Sequence, residues 1–99
     1  MKVYLSKQAE YKLNLILAYL LEKWNFRIKE DFIDTLKSKF KQISTFPESC
    51  PKSERRDGLY RCVLTKQVTF FYRVKMDKEI EIITFFDTRQ NPKRANKEL

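Results

Sequence analysis

LYRCVLTKQVTFFYRVKMDKEIEIITFF, residues 59–86, is the stretch that decides the fold. Apolar side chains return at every second position in it, the spacing of strands with one covered face. It divides into LYRCVL at 59–64, QVTFFYRV at 67–74 and EIEIITFF at 79–86. Thr65-Lys66 and Met76-Asp77-Lys78 between them are short enough for hairpins, so the three strands form an antiparallel meander. Alternation then assigns the faces. Tyr60, Cys62, Leu64, Val68, Phe70, Tyr72, Val74, Ile80, Ile82 and Phe86 are expected on the covered side. Arg61, Val63, Thr69, Phe71, Arg73, Lys75, Glu81, Ile83 and Phe85 are expected on the other.

Upstream the punctuation changes. FPESCPKSERRDG, residues 46–58, holds two of the three prolines and the only glycine, and reads as a loop. Before it the period is helical. Ile28, Phe32, Ile33, Leu36, Phe40 and Ile43 form one stripe. Ala9, Leu13, Ile16, Leu17, Leu20 and Trp24 form another, over a helix of about residues 7–23. Ser6 and Asn25 are placed to cap the two helices, since each offers a side-chain oxygen to free first-turn amides. Trp24 is expected to plug the bend between them. KVYL at residues 2–5 alternates and reads as a short first strand. The order is β-α-α-β-β-β: an α+β fold in which an antiparallel helical hairpin lies on one face of a small sheet.

Ninety-nine residues are expected to form a single domain, with residues 89–99 as a basic C-terminal tail. Lysine and arginine number 21 against 13 aspartate and glutamate, a net charge of +8. Cations outnumber anions nine to six in residues 1–50 and twelve to seven in residues 51–99, so the excess leans toward the C-terminal half. Such a balance favours an acidic partner. Cys50 and Cys62 have no metal-ligand spacing and there is no histidine, so neither a metal nor a cofactor is expected and the thiols are read as reduced. The start, MKVYLSKQAEY, lacks the apolar run of a signal peptide, and no stretch approaches the roughly 20 apolar residues of a membrane span. The expected location is cytoplasmic, with no membrane partner.

The expected open face mixes Val63, Phe71, Ile83 and Phe85 with Arg61, Arg73 and Lys75. An apolar patch rimmed by cations marks a docking surface. Arg55 and Arg56 in the loop, and Arg89, Lys93 and Arg94 after the last strand, would extend its positive rim. Glu81 on that face has two readings: a proton acceptor, or a partner for Arg73 across neighbouring strands.

DGLYRCVL at 57–64, FFYRV at 70–74 and EIITFFDTRQNP at 81–92, in this order and on this element pattern, resemble the RelE/ParE superfamily of toxins from bacterial type II toxin–antitoxin systems. The resemblance implies a cognate antitoxin, small and acidic, as partner. It implies one of two targets: DNA gyrase for ParE-like members, or mRNA in the ribosomal A site for RelE-like members. RelE-like cleavage, in which a 2′-hydroxyl attacks the adjacent phosphate, needs a proton acceptor, a donor and cations. Those members carry an arginine where this chain has Thr69 and a lysine where it has Val63. Arg61 is kept, Arg89 stands near their last-strand arginine, and no tyrosine or histidine follows Phe86. These departures, with the RQNP ending, turn the reading toward a ParE-like toxin that acts by binding. Its contact residues would be Arg55, Arg56, Arg61, Phe71, Arg73, Lys75, Phe85, Arg89, Lys93 and Arg94. The alternatives are a ribosome-dependent endoribonuclease using Arg61, Arg73, Glu81 and Arg89, and a basic binding module without toxicity.

Overall fold

A computed structural model describes residues 1–88, and Arg89, Pro92, Lys93 and Arg94 lie outside the described residues. Strand β1 (Val3–Leu5) is followed by helices α1 (Lys7–Lys23) and α2 (Phe26–Thr45), then by β2 (Tyr60–Val63), β3 (Val68–Val74) and β4 (Ile80–Asp87). Both caps form as the sequence implies. The Ala9 amide donates to Ser6 Oγ at 3.0 Å, and the Ile28 amide donates to Asn25 Oδ1 at 2.9 Å. Each such cap stabilises its helix by about 1 kcal/mol.

The meander pairs antiparallel throughout, and β1 closes the sheet by running parallel to β4, giving the order β1-β4-β3-β2. Val3 stands opposite Ile80 and Leu5 opposite Ile82. Ser6 anchors this seam as well as capping α1: its amide donates to the Ile82 carbonyl at 2.9 Å and its hydroxyl to the Ile83 carbonyl at 2.7 Å.

The helical hairpin covers one face. Ala9, Ile16, Leu20, Phe32, Leu36 and Ile43 meet Cys62, Val68, Phe70, Tyr72, Ile80, Ile82 and Phe85 in one buried cluster. Aromatic rings carry the centre of it. Phe40 sits edge-on to Phe70 at 5.6 Å, Phe70 lies 5.8 Å from Phe85, and Tyr60 stacks on Tyr72 at 5.1 Å. Each such pair contributes about 0.5–1.5 kcal/mol beyond its area. The Tyr72 hydroxyl finds its partner in the Pro47 carbonyl, at 2.8 Å.

Three expectations are corrected. The first concerns Phe85 and Phe86, which exchange faces. Phe71 pairs with Thr84 but Tyr72 pairs with Ile82, so Ile83 is an extra residue in β4. Such a bulge resets the alternation. Phe85 then enters the core at 1% exposure, and Phe86 turns to the other side. Secondly, Trp24 does not plug the bend; it is the C-cap of α1 and remains 63% exposed. Its backbone amide, donating to the Leu20 carbonyl, satisfies the helix end while the indole points outward.

The loop reading of residues 46–58 is incomplete. Lys52 forms an antiparallel bridge to Tyr60. The Ser53 amide donates to the Leu59 carbonyl at 2.7 Å and the Arg61 amide to the Pro51 carbonyl at 2.8 Å, so this segment covers part of the outer edge of β2. Gly58, at φ +84°, lets the chain reverse between the two lines, a conformation other residues adopt at a cost of about 1 kcal/mol.

Candidate partner-binding surface

On the sheet face away from the helices, register sets the side chains in cross-strand rows. Tyr4 of β1, Glu81 of β4 and Arg73 of β3 form one row. Arg61, Phe71 and Thr84 form the next, and Val63, Thr69 and Phe86 the last. The first row is polar and internally paired. Arg73 Nε donates to Glu81 Oε1 at 2.7 Å. Just beyond it, Lys75 Nζ donates to the Tyr4 hydroxyl at 2.9 Å and lies 5.5 Å from that ring's centre. The Tyr4 hydroxyl holds the Lys75 ammonium above the ordinary lysine range. Lys75 is therefore a fixed positive charge across physiological pH.

The middle row is less open than the sequence suggests. Arg61 is exposed, but Phe71 retains only 5% of its surface and Thr84 1%. Phe71 occupies an inner strand, with Arg61 on one flank and Thr84 on the other, and a large ring in that position is shielded from both sides. Together with the inward turn of Phe85, this removes two of the four apolar members expected on the patch. Val63 remains, half exposed, with Ile83 and Phe86 partly so. What the face presents is a cationic line, Arg61–Arg73–Lys75, with an apolar margin.

Arg55 and Arg56 stand exposed on the loop that returns to β2. The Arg55 amide donates to Ser53 Oγ at 3.3 Å, and the Arg56 carbonyl accepts from the Leu59 amide at 3.4 Å, so local bonds shape their backbone while the guanidinium-bearing chains face outward. Pairing between Arg73 and Glu81 settles the geometry of that carboxylate: a charge-assisted bond occupies it.

Sequence reasoning missed two features. Tyr4, read only as part of a short strand, becomes the anchor of Lys75 because β1 lies next to β4. More important is an apolar end on the helical hairpin, where Leu21, Trp24, Phe26 and Ile28 are 39–63% exposed. Beside it a groove of about 440 Å³ runs between the hairpin and the β2–β3 turn, lined by Tyr19, Trp24, Ile28, Phe32 and Val68 among others. A signal was present: Trp24 and Phe26 flank the Asn25 cap, where chain reversal leaves large rings little to pack against. A second groove, of about 560 Å³, lies at the opposite end beside Phe46, Pro47, Tyr60 and Val74. Exposed apolar surface on this scale, next to grooves, belongs to partner-binding regions.

Among the described residues no three metal-ligating side chains converge, and no helix is long and apolar enough to cross a membrane.

The family model of the ParE toxin of the type II toxin–antitoxin system, parDE, matches residues 3–92. Solved structures share the fold. A chain of the chromosomal ParDE toxin–antitoxin system from P. aeruginosa superposes with a TM-score of 0.72 at 16% identity, over 88% of this chain and 95% of that one. The YoeB/ParE toxin from Agrobacterium tumefaciens gives a TM-score of 0.64 at 14% identity, over 88% of this chain and 98% of that one. Among curated proteins, none matches the chain in sequence.

Proposed function

The chain belongs to the ParE family of toxins from type II toxin–antitoxin systems, and from that premise we propose that it arrests growth by binding DNA gyrase and is neutralised by a small acidic antitoxin. Family membership implies a cognate antitoxin as partner. The mode of action is argued from the surface.

The observation that carries this reading is the Arg73–Glu81 pair, 2.7 Å apart and in direct cross-strand register. Glu81 is the carboxylate that the sequence offered as proton acceptor on this face. One of its oxygens is already taken by the Arg73 guanidinium, so the carboxylate is held in an ion pair and not presented to a substrate. The same pair serves well in a surface that recognises by shape and charge. Arginines and aromatics supply most of the energy at interfaces, and both kinds are displayed here on rigid elements. Arg61, Arg73 and Lys75 on the sheet, with Arg55 and Arg56 on the loop, form the positive part. Arg89, Lys93 and Arg94, beyond the described residues, are assigned to it on charge alone.

For the antitoxin, two surfaces are offered together. The groove beside Trp24 suits an apolar stripe of a helix, and the cationic line suits carboxylates that follow it. One segment reaching from the hairpin to the sheet would cover both. It would place its acidic residues over Arg61 and Arg73 and so compete with the target.

The deciding experiment is a supercoiling assay with purified gyrase and relaxed plasmid, run beside an in vitro translation reaction in which messages are mapped for breaks. Loss of supercoiling with intact messages is the expected result, and equimolar antitoxin should restore activity. Undisturbed gyrase together with codon-position breaks would overturn the proposal in favour of cleavage.

A further inference from the structure

Two buried thiols that the binding surface does not use lie together beneath the arginine loop. Cys50 and Cys62 are both free and both in the core cluster. The register of the loop explains how they meet. The Lys52–Tyr60 bridge, with its flanking bonds from Ser53 to Leu59 and from Arg61 to Pro51, defines a short antiparallel ladder. The Arg61–Pro51 bond ends that ladder one residue short of both cysteines, and the same register continued by one step on each line would set Cys50 opposite Cys62. The bonds flank the Lys52–Tyr60 pair rather than joining its members, so this is a narrow pair, and every second pair along a ladder repeats that type. Narrow pairs bring Cα atoms to about 4.5 Å. A disulfide needs roughly 4.4–6.8 Å. Cys50 lies close enough to Cys62 to raise that thiol, second to burial.

We propose that Cys50 and Cys62 form a modification site: a thiol pair that a small-molecule disulfide such as glutathione disulfide converts to an intramolecular cystine, tying the arginine loop to β2. Cys50 is the outer of the two, 6% exposed against 1% for Cys62. Its thiolate attacks one sulfur of the reagent, the reagent's S–S bond breaks, and one glutathione leaves and takes up a proton. Cys62 then attacks the Cys50 sulfur as a thiolate, expelling the second glutathione, which is protonated in turn. Two thiol protons and two electrons pass to the reagent, and one S–S bond replaces another. Burial pushes the Cys62 thiol up to about 12, which suppresses its thiolate and makes the closing step slow in the native chain. Closure is therefore faster while the chain folds than after it has folded. The ring so formed contains Arg55 and Arg56, whose position relative to β2 becomes covalently fixed.

The test uses the full-length reduced protein and glutathione disulfide, added either to the native chain or during refolding from urea. Intact mass and peptide mapping read the product. The expected product is a monomer with a Cys50–Cys62 linked peptide and no bound glutathione, formed faster during refolding. Its urea midpoint should exceed that of the same chain after reduction. Cys50→Ser and Cys62→Ser should each abolish the increase. Stable glutathionylation without closure, linkage between two chains, absence of oxidation under both regimes, or equal midpoints for the two redox states would each overturn the proposal.

Discussion

The two faces of the sheet obey different constraints. On the helix-covered side Phe70, Tyr72, Ile80, Ile82 and Phe85 keep 1% of their surface or less, and each is fixed by neighbours from two layers. On the reverse side Arg61 is exposed, Val63 keeps half its surface, and Arg73 and Lys75 are held by Glu81 and Tyr4. Substitution on the first face removes packing that nothing replaces. At the exposed positions of the second, Arg61, Val63 and Arg73, water replaces most of what is lost, so the chemistry there is free to answer to a partner. Stability and recognition are thus carried by opposite sides of one four-stranded layer.

The sharpest way to break this comparison is at the bulge. Phe85→Ala should cost about 3–5 kcal/mol, and Phe86→Ala about 1 kcal/mol or less, in urea unfolding. The opposite ranking would return the end of β4 to unbroken alternation. Next in size is charge reversal on the exposed side. Arg61→Glu combined with Arg73→Glu should weaken antitoxin binding on the order of 100-fold by titration calorimetry, with thermal stability little changed. Unchanged affinity would remove the cationic line from the interface.

Alkaline titration addresses the buried thiol of the covered side. Burial, then the neighbouring Cys50 thiol, raises Cys62 from 9.0 to about 12, and burial raises Tyr72 as well. A raised pKa means the folded chain holds its proton more tightly. The stability this contributes is complete below pH 9 and is lost as pH climbs toward 12. Cys62→Ala should lessen that loss by about 1 kcal/mol, seen as a flatter dependence of urea midpoint on pH. The smallest effect is expected from the exposed ion pair: a double-mutant cycle of Arg73→Gln and Glu81→Gln should return about 0.2–1 kcal/mol, diminishing with salt.

Much of the architecture was legible because it rests on local chemistry. Ser6 and Asn25 announce the helix starts, the two stripes announce their inner faces, and the change of period at Gly58 announces the meander. The cross-strand partner of Glu81 followed from counting alternate residues. What escaped depends on long-range placement. The bulge at Ile83 lies in EIITFF, where no glycine or proline breaks the pattern, so an unbroken period was the natural reading and Phe85 went to the wrong side. Tyr4 acquired its role only when β1 was laid along β4. Trp24 was drawn inward because large rings usually are, whereas the short turn at Asn25 leaves no layer above it. Cys50 is brought beside β2 by the Lys52–Tyr60 bridge, hidden in a proline-bearing stretch whose backbone pairing carries no side-chain signature.

The parallel seam between β1 and β4 joins the opening residues of the chain to those near its close. Val3 waits for Ile80, and Ser6 for the carbonyls of Ile82 and Ile83. Contacts so distant in sequence are formed late and slowly. During synthesis the hairpin of helices emerges well before its sheet can be completed, and the last register is settled only once β4 has emerged. Tyr4, which anchors Lys75, therefore takes its place only once that seam has closed.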